Sequence, residues 1–172
     1  MTTALRIYMN DQLALGILWR EMARRAAREN RGSDAGAALA DVATQIAEDV
    51  RTFEDLMSRL GLRRNPIKAA LAIAAERAGR LKLNGALRAY TPLSRFAELE
   101  FLVMGIEGKK QLWTTLGDLA LLSARLPDVD FSRLVERAEA QRAALEPFRE
   151  AAGRQAFAPG VSVPTEPSWS LN

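Results

Sequence analysis

The chain has 172 residues, of which 48% are apolar and 26% are charged, and its net charge is +3. These values are typical of one globular domain that is long enough to bury its own core. The sequence contains no cysteine, which excludes disulfides and thiolate chemistry, and no histidine, which removes the commonest general base and transition-metal ligand. No cofactor is expected.

Two long helices are predicted in the first third of the chain. Apolar residues at helical spacing indicate one helix from Ala4 to Asn30 and a second from Ala37 to Leu60. Ser33 or Asp34 is placed to cap the second helix, and Gly61 to end it. Because the loop between them is short, the two helices should be antiparallel neighbours.

The middle of the chain predicts a crossover between the second and third main helices. Asn65-Pro66 is typical of a helix start, and a shorter helix is expected from Pro66 to about Gly79. Asn84-Gly85 breaks the following stretch, which we interpret as a turn with some helical character. The segment from residue 61 to residue 90 has a net charge of +6. It forms a predicted basic surface of Arg63, Arg64, Lys68, Arg77, Arg80, Lys82 and Arg88.

Two further long helices are predicted after the crossover. Thr91-Pro92 repeats the pattern of a cap followed by proline, and the third main helix is expected to reach about residue 121. Asp128 or Asp130 should cap the fourth helix, which is expected to reach about residue 156. Pro147 lies inside the fourth helix, where it removes one backbone hydrogen bond and favours a kink.

These elements predict an all-α fold, namely an antiparallel four-helix bundle over residues 1–157 with a crossover between its second and third main helices. Residues 158–172 are proline-rich and aperiodic, so a tail is expected there, with Trp169 as the side chain that could dock. No apolar run approaches the roughly 18 residues that a membrane span needs, and no signal-length apolar stretch is found. We therefore expect no membrane span and a cytoplasmic location.

Several charged residues interrupt the apolar helix rows and form the candidate site. Asp11, Asp49 and Lys110 fall among core positions of the first three main helices. Because a buried charge is costly unless it is paired, one reading is a central polar layer, with Asp11 apart from it. The other reading is a set of boundary charges that reach solvent. The candidates are Asp11, Glu21, Glu48, Asp49, Arg51, Glu100, Glu107, Lys110, Glu139 and Arg142.

A pair of long helices, a crossover and a second pair resemble the ferritin-like bundle. Proteins of that superfamily often hold two iron ions with one Glu on each of two helices and a Glu-x-x-His on each of the other two. Here the spacing occurs as Glu48-x-x-Arg51 and Glu139-x-x-Arg142, and arginine cannot coordinate a metal. The resemblance therefore implies a ferritin-like fold in which guanidinium groups replace much of the charge of the metal.

A more specific resemblance is to uncharacterised actinobacterial proteins. It is carried by the segments YMNDQLA (8–14), GRLKLNG (79–85), YTPLSR (90–95), ELE (98–100) and GIEGK (105–109), and it covers about positions 5–155. It implies no known activity. Many of these relatives have histidine where this chain has Gln12, a difference that weakens any metal site at Asp11.

Four functions follow from these observations. The leading one is a non-enzymatic interaction or scaffold protein, including a homodimer, because a long helix can offer a second face to a partner. The alternative is a carboxylate metal site for Mn²⁺, Mg²⁺ or Ca²⁺, although metal is not the favoured expectation. Its ligands would be Glu21, Glu48, Glu107 and Glu139. Nucleic-acid binding by the basic surface is disfavoured because no recognition motif is present. Small-molecule binding in the core would use Tyr8, Trp19, Met104 and Trp113.

Overall fold

The computed structural model describes residues 2–65 and 91–159, and these residues form helices and no strand. The predicted all-α class is therefore confirmed. The α-helices of the described residues are α1 Thr3–Glu29, α2 Asp34–Arg59, α3 Pro92–Thr114, α4 Leu122–Arg125 and α5 Phe131–Ala156. None of them is both long enough and apolar enough to cross a membrane. The predicted helix over 66–79, the turn that follows it and the tail from residue 160 onward lie outside the described residues.

Side-chain caps begin each of the four long helices. The capping side chains belong to Thr2, Ser33, Thr91 and Asp130, and each accepts a hydrogen bond from the backbone N–H three residues further on. Pro92 occupies the first turn of α3. The predicted cap at Thr91 is confirmed, and of the two alternatives at the other starts the caps are Ser33 and Asp130. The second helix begins at Asp34, three residues before the expected Ala37.

The C-terminus of α2 shows the predicted glycine stop. Gly61 has a φ of +67°, a conformation that a side chain disfavours. Its N–H donates to the Ser58 carbonyl at 2.9 Å, and the Leu62 N–H donates to the Met57 carbonyl at 2.8 Å. These two bonds form a Schellman motif, which satisfies carbonyls that the helix end would leave unpaired.

The helical backbone of the third main helix reaches Leu119, close to the expected end at about residue 121, but its last five residues are not α-helical. A π-helical turn, Thr115–Leu119, follows α3, and Leu121 then adopts a left-handed conformation with a φ of 55°. Gly117 lies against Phe131, so close that a Cβ would come within 3.0 Å of the Phe131 Cβ. The Ser123 hydroxyl also donates to the Gly117 carbonyl at 3.1 Å. The π-helical turn therefore lies where Gly117 packs closely against the start of α5.

The long helices pack as two antiparallel pairs, α1 with α2 and α3 with α5. The pairs meet where α1 contacts α3 and where α2 contacts α5, so each long helix touches two others. The buried row of α2 includes Leu39, Ile46 and Phe53. In α1 the buried row includes Leu13 and Ile17, whereas Leu15 is 44% exposed.

Asn10 ties the segment after α2 to α1. Its side chain is buried, and its amide nitrogen donates to the Arg6 carbonyl at 2.9 Å and to the Arg63 carbonyl at 3.3 Å. Its amide oxygen accepts from the Asn65 N–H at 2.7 Å. One side chain thus satisfies two backbone groups outside the helices, the Arg63 carbonyl and the Asn65 N–H.

Candidate functional site

A cluster of charged and polar side chains lies inside the described fold. This buried ion cluster consists of Asp49 from α2, Lys109 from α3, and Arg137 and Gln141 from α5. The Asp49 carboxylate accepts from the Lys109 ammonium, the Arg137 guanidinium and the Gln141 amide, the last at 3.0 Å. The Lys109 ammonium also donates to the Gln141 amide oxygen. The cluster therefore joins three helices through one carboxylate.

The buried ion cluster separates the apolar core into two parts. Asp49 lies in α2 between Ile46, which belongs to one part, and Phe53, which belongs to the other. Lys109 has a similar position in α3 between Ile106 and Trp113. Asp49 is 3% exposed and Gln141 is 1% exposed. Sliding one helix by a turn would leave these charges buried without partners, which is costly.

Lys109 is the most deeply buried cation of the cluster. Burial lowers the pKa of Lys109 from its ordinary value of 10.5, and the charge and hydrogen bond of Asp49 act in the opposite direction. An ammonium has three N–H donors, and Asp49 and Gln141 account for two of them. The third has no partner among the described residues.

A second set of charges lies on the surface between α3 and α5. This surface ladder consists of Glu107, Lys110, Glu139 and Arg142. The Lys110 ammonium is 2.9 Å from both Glu107 and Glu139, and Arg142 is 2.7 Å from Glu139. Hydrogen bonds from Arg142 and Lys110 hold the pKa of Glu139 at about 2, and those to Glu107 and Glu139 raise the pKa of Lys110. The two glutamates are more than 40% exposed, so we expect the ladder to stabilise the fold weakly.

The expected central layer is thus divided between two sites. Of the candidates, Asp49 lies in the buried ion cluster and Glu107, Lys110, Glu139 and Arg142 lie in the surface ladder. Glu48 lies at the boundary, 3.9 Å from both Arg137 and Arg51. The side chain of Arg51 is 67% exposed. The four ladder residues lie near one another, but on the surface between α3 and α5 and not in the interior.

The other candidates lie apart from both sites. Glu21 pairs on its own helix with Arg20 at 2.9 Å and Arg24 at 3.2 Å. Glu100 pairs with Arg149 at 3.5 Å. Asp11 lies on the exposed side of α1, and its expected place among core positions is therefore wrong.

Only the first two residues of the predicted basic surface fall in the described ranges. Arg63 and Arg64 are both exposed, and Arg64 pairs with Glu54 at 2.9 Å. The remaining members lie outside the described residues, namely Lys68, Arg77, Arg80, Lys82 and Arg88.

The carboxylates do not fit a di-metal centre of the ferritin-like type. Glu107 and Glu139 share Lys110, whereas Glu21 and Glu48 are paired elsewhere. Within residues 2–65 and 91–159, no three acidic side chains form a group that could hold a metal ion. Next to Asp49 the positive charge comes from Lys109 and Arg137, and not from the Arg51 and Arg142 of the Glu-x-x-Arg pattern.

Four important charged residues were not identified from the sequence. Lys109 and Arg137 belong to the buried ion cluster, and Arg25 forms a buried pair with Glu98 at 2.8 Å, which links α1 to α3. The apolar pattern of α3 does not single out Lys109, because Lys109 and Lys110 both lie one helical turn from Ile106 and from Trp113. Arg25 also lacks a signal because it lies in a basic stretch of α1.

An apolar cleft of about 250 Å³ lies between α1, α2 and α3, beside the buried ion cluster. Asp49 and Lys109 form part of its wall. The apolar part comes from three helices, namely from Leu13, Leu15, Gly16, Trp19, Ile46, Val50, Phe53, Met104, Gly105, Ile106, Gly108, Leu112 and Trp113. Trp19, Met104 and Trp113 had been expected in a core pocket. Tyr8, which had also been expected there, packs instead against the core near Met9.

Comparisons with known proteins identify no relative of this chain. No protein-family model, no curated protein and no solved structure matches it. The ferritin-like and actinobacterial resemblances therefore stay predictions from the sequence, and a functional proposal depends on the geometry of the described residues.

Proposed function

We propose that the protein is a non-catalytic helical bundle that acts as an interaction or scaffold protein, with a homodimer as its simplest assembly. We propose also that its main helices form an antiparallel four-helix bundle of ferritin-like connectivity, with residues 66–90 as the crossover. The two antiparallel pairs, and the contacts of each long helix with two others, support this arrangement.

One observation carries the interaction role: α3 is apolar on two sides. Its inner side buries residues such as Leu99 and Ile106. Its outer side exposes Leu93 and Phe101, each by 43%, and Met104 by 60%. These outer residues follow one another at helical spacing, with Ala97 between the first two. A helix that is apolar all round is normally covered on all sides, and exposed apolar patches mark interaction surfaces.

A second copy of the chain is the occupant that we propose for this outer row. Homodimers with twofold symmetry are the commonest assemblies, and they need one self-complementary patch. Leu15 of α1 is 44% exposed and lines the same cleft as Met104, so the apolar surface extends from α3 to α1. The row is also largely uncharged, which avoids repulsion between two identical faces.

The buried ion cluster supports a structural role in place of a catalytic one. Lys109 and Arg137 are committed to Asp49, and the positions where a ferritin-like bundle would hold metal contain no matching carboxylate group in the described ranges. We propose that this cluster specifies the register of α2, α3 and α5, because only one register pairs every buried charge.

Multi-angle light scattering on the full chain tests the assembly. We expect a dimer for the wild type, and a weaker dimer or a monomer for Phe101→Glu, which places a charge in the outer row. Ala144→Glu, on the exposed side of α5, is the matched control and should leave the dimer intact. A wild type that stays monomeric at micromolar concentrations, or a Phe101→Glu variant that dimerises as tightly as the wild type, would contradict the homodimer. Circular dichroism shows whether each variant keeps its helices.

A further inference from the structure

We propose that each copy in the homodimer inserts its Phe101 ring into the apolar cleft of the other copy, with the two α3 helices antiparallel and crossing between Met104 and Gly105. This arrangement rests on the homodimer proposed above and deepens it, because it names the side chain that fills the cleft. The cleft of one chain is then completed by a residue of the second chain.

The mouth of the cleft lies between α1 and α3. The α2 residues that line the cleft are all buried, whereas Leu15 of α1 is 44% exposed and Met104 of α3 is 60% exposed. Gly108 of α3 also lines the cleft and is exposed, and a Cβ at this position would meet nothing within 4 Å. The cleft is therefore open to a side chain that approaches along the outer side of α3.

The size and lining of the cleft suit an aromatic side chain. A closed apolar cavity of roughly 150 Å³ can hold benzene, so a cleft of about 250 Å³ has room for a phenyl ring. Trp19 and Trp113 line the cleft, and aromatic side chains pack favourably against one another.

Phe101 is an aromatic side chain without a ring contact of its own. It is 43% exposed, and burial of the ring would be favourable. The other exposed aromatic side chain of the described residues, Phe157, packs edge-on against Phe96 with 5.1 Å between the ring centroids. Within residues 2–65 and 91–159, no ring contact is found for Phe101. Phe101 is therefore the side chain that we place in the cleft of the second copy.

The positions of Phe101 and Gly108 on α3 suit a twofold axis. They are seven residues apart, which is about two helical turns, so both lie on the outer side of the helix. Met104 lies between them on the same side, and this spacing of three and four residues is that of a helix-pairing seam. A twofold axis between Met104 and Gly105 makes the two helices antiparallel and brings Phe101 of each copy opposite Gly108 of the other.

Charges beside this seam favour the antiparallel arrangement. The same register brings Glu100 of one copy to within one residue of the level of Lys110 on the other. A parallel pair would instead set Glu100 beside Glu100 and Glu107 beside Glu107, and like charges across an interface oppose association. Both glutamate side chains are more than 40% exposed, so they can reach a neighbouring copy. Charge complementarity therefore supports the register in which Phe101 meets the cleft.

Cysteine cross-linking of the full chain tests this contact, because the sequence contains no cysteine. A mixture of Phe101→Cys and Gly108→Cys chains in a glutathione redox buffer should form disulfide-linked pairs with one chain of each kind. A disulfide needs Cα atoms within about 7 Å of each other, so it reports a direct contact. The second contact of each mixed pair keeps its phenylalanine and its glycine, so the pair can still assemble.

Ala144→Cys, on the exposed side of α5, is the matched control for cross-linking. Its mixture with Phe101→Cys should form far fewer mixed pairs. If the wild type dimerises but Phe101→Cys and Gly108→Cys cross-link no more than this control, the contact is overturned and the homodimer stands. A wild type that stays monomeric overturns both proposals. Failure of the contact and failure of the dimer are therefore distinguishable.

Two substitutions at Gly108 test whether a ring enters the cleft there. Gly108→Leu should obstruct the mouth and raise the Kd of the dimer at least about tenfold, as the loss of a central aromatic contact does. Gly108→Ala adds a Cβ that meets no atom, so it should dimerise nearly as tightly as the wild type. Light scattering over a dilution series measures both constants, and circular dichroism shows whether each variant keeps its helices. Equal constants for the two variants would refute insertion at this position.

Discussion

Asp49→Asn is the most direct test of the buried ion cluster. The substitution keeps the size of the side chain and removes its charge. Lys109 and Arg137 then lose the only carboxylate that pairs directly with both of them among the described residues. Lys109 is the more affected of the two, because its side chain is 14% exposed and that of Arg137 is 31% exposed.

The expected loss of stability follows from this difference in exposure. Removing one partner of a buried ion pair costs roughly 3–5 kcal/mol. Arg137 can reach solvent and lies 3.9 Å from Glu48, so we expect the lower end of that range, about 3 kcal/mol. For a chain of this length 1 kcal/mol corresponds to roughly 2–4 °C in Tm, so the midpoint should fall by about 6–12 °C.

Urea unfolding followed by circular dichroism and tryptophan fluorescence measures this loss. The double variant Asp49→Leu with Lys109→Met should be more stable than Asp49→Leu alone, because it leaves no lysine charge buried. A loss below about 1 kcal/mol for Asp49→Asn would refute the reasoning, since an exposed pair behaves in that way.

The pH dependence of Asp49→Asn gives an independent check. Without the Asp49 charge, the pKa of Lys109 in the folded state should lie further below its ordinary value of 10.5. The unfolded chain then binds more protons than the folded chain between these two pKa values, so stability rises with pH across that window. The difference in the free energy of unfolding between the wild type and the variant should therefore become smaller as the pH approaches 10.5.

Three further predictions concern other parts of the fold. The folded-state pKa of Glu139 is lowered to about 2, so its contribution to folding stability is present above pH 4.5 and is lost as the pH falls through about 2. The stability of Glu139→Gln should therefore depend less on pH over that range than the stability of the wild type, as acid unfolding would show. The difference should be small because the Glu139 side chain is 44% exposed. Gly36→Ala would drive a Cβ into the Asn30 carbonyl, so thermal unfolding should show a loss of stability of about 1–3 kcal/mol. The added Cβ of Gly108→Ala meets no atom, so this variant should gain up to about 1 kcal/mol of stability. Equal effects of the two substitutions would contradict this packing. Leu121→Gly relieves a left-handed backbone at a side chain that is 67% exposed, so we expect a gain of about 1 kcal/mol in chemical unfolding, and a loss would show that Leu121 is held by other contacts.

Much of the secondary structure could be predicted because it depends on short-range chemistry. The caps at Ser33, Thr91 and Asp130 and the glycine stop at Gly61 involve side chains and backbone groups within one or two helical turns. The π-helical turn that follows α3 was not predictable in the same way. It lies where Gly117 approaches Phe131, and these residues belong to different helices.

The candidate site shows where sequence patterns become insufficient. The apolar row of α2 is unambiguous, so Asp49 could be placed in the interior. On α3, apolar residues occupy both the inner and the outer side, and the pattern does not distinguish Lys109 from Lys110. Neighbouring residues on a helix point about 100° apart, so an error of one position exchanges a buried charge for an exposed one.

The sequence by itself determined that this protein is helical, where its main helices begin, and that neither histidine nor cysteine chemistry is available to it. Only the tertiary structure decided which charges are buried, which cations pair with Asp49, and where glycines leave a cleft. The physical reason is that capping and helix formation are local, whereas burial depends on the rotation and register of helices that contact one another from distant parts of the chain.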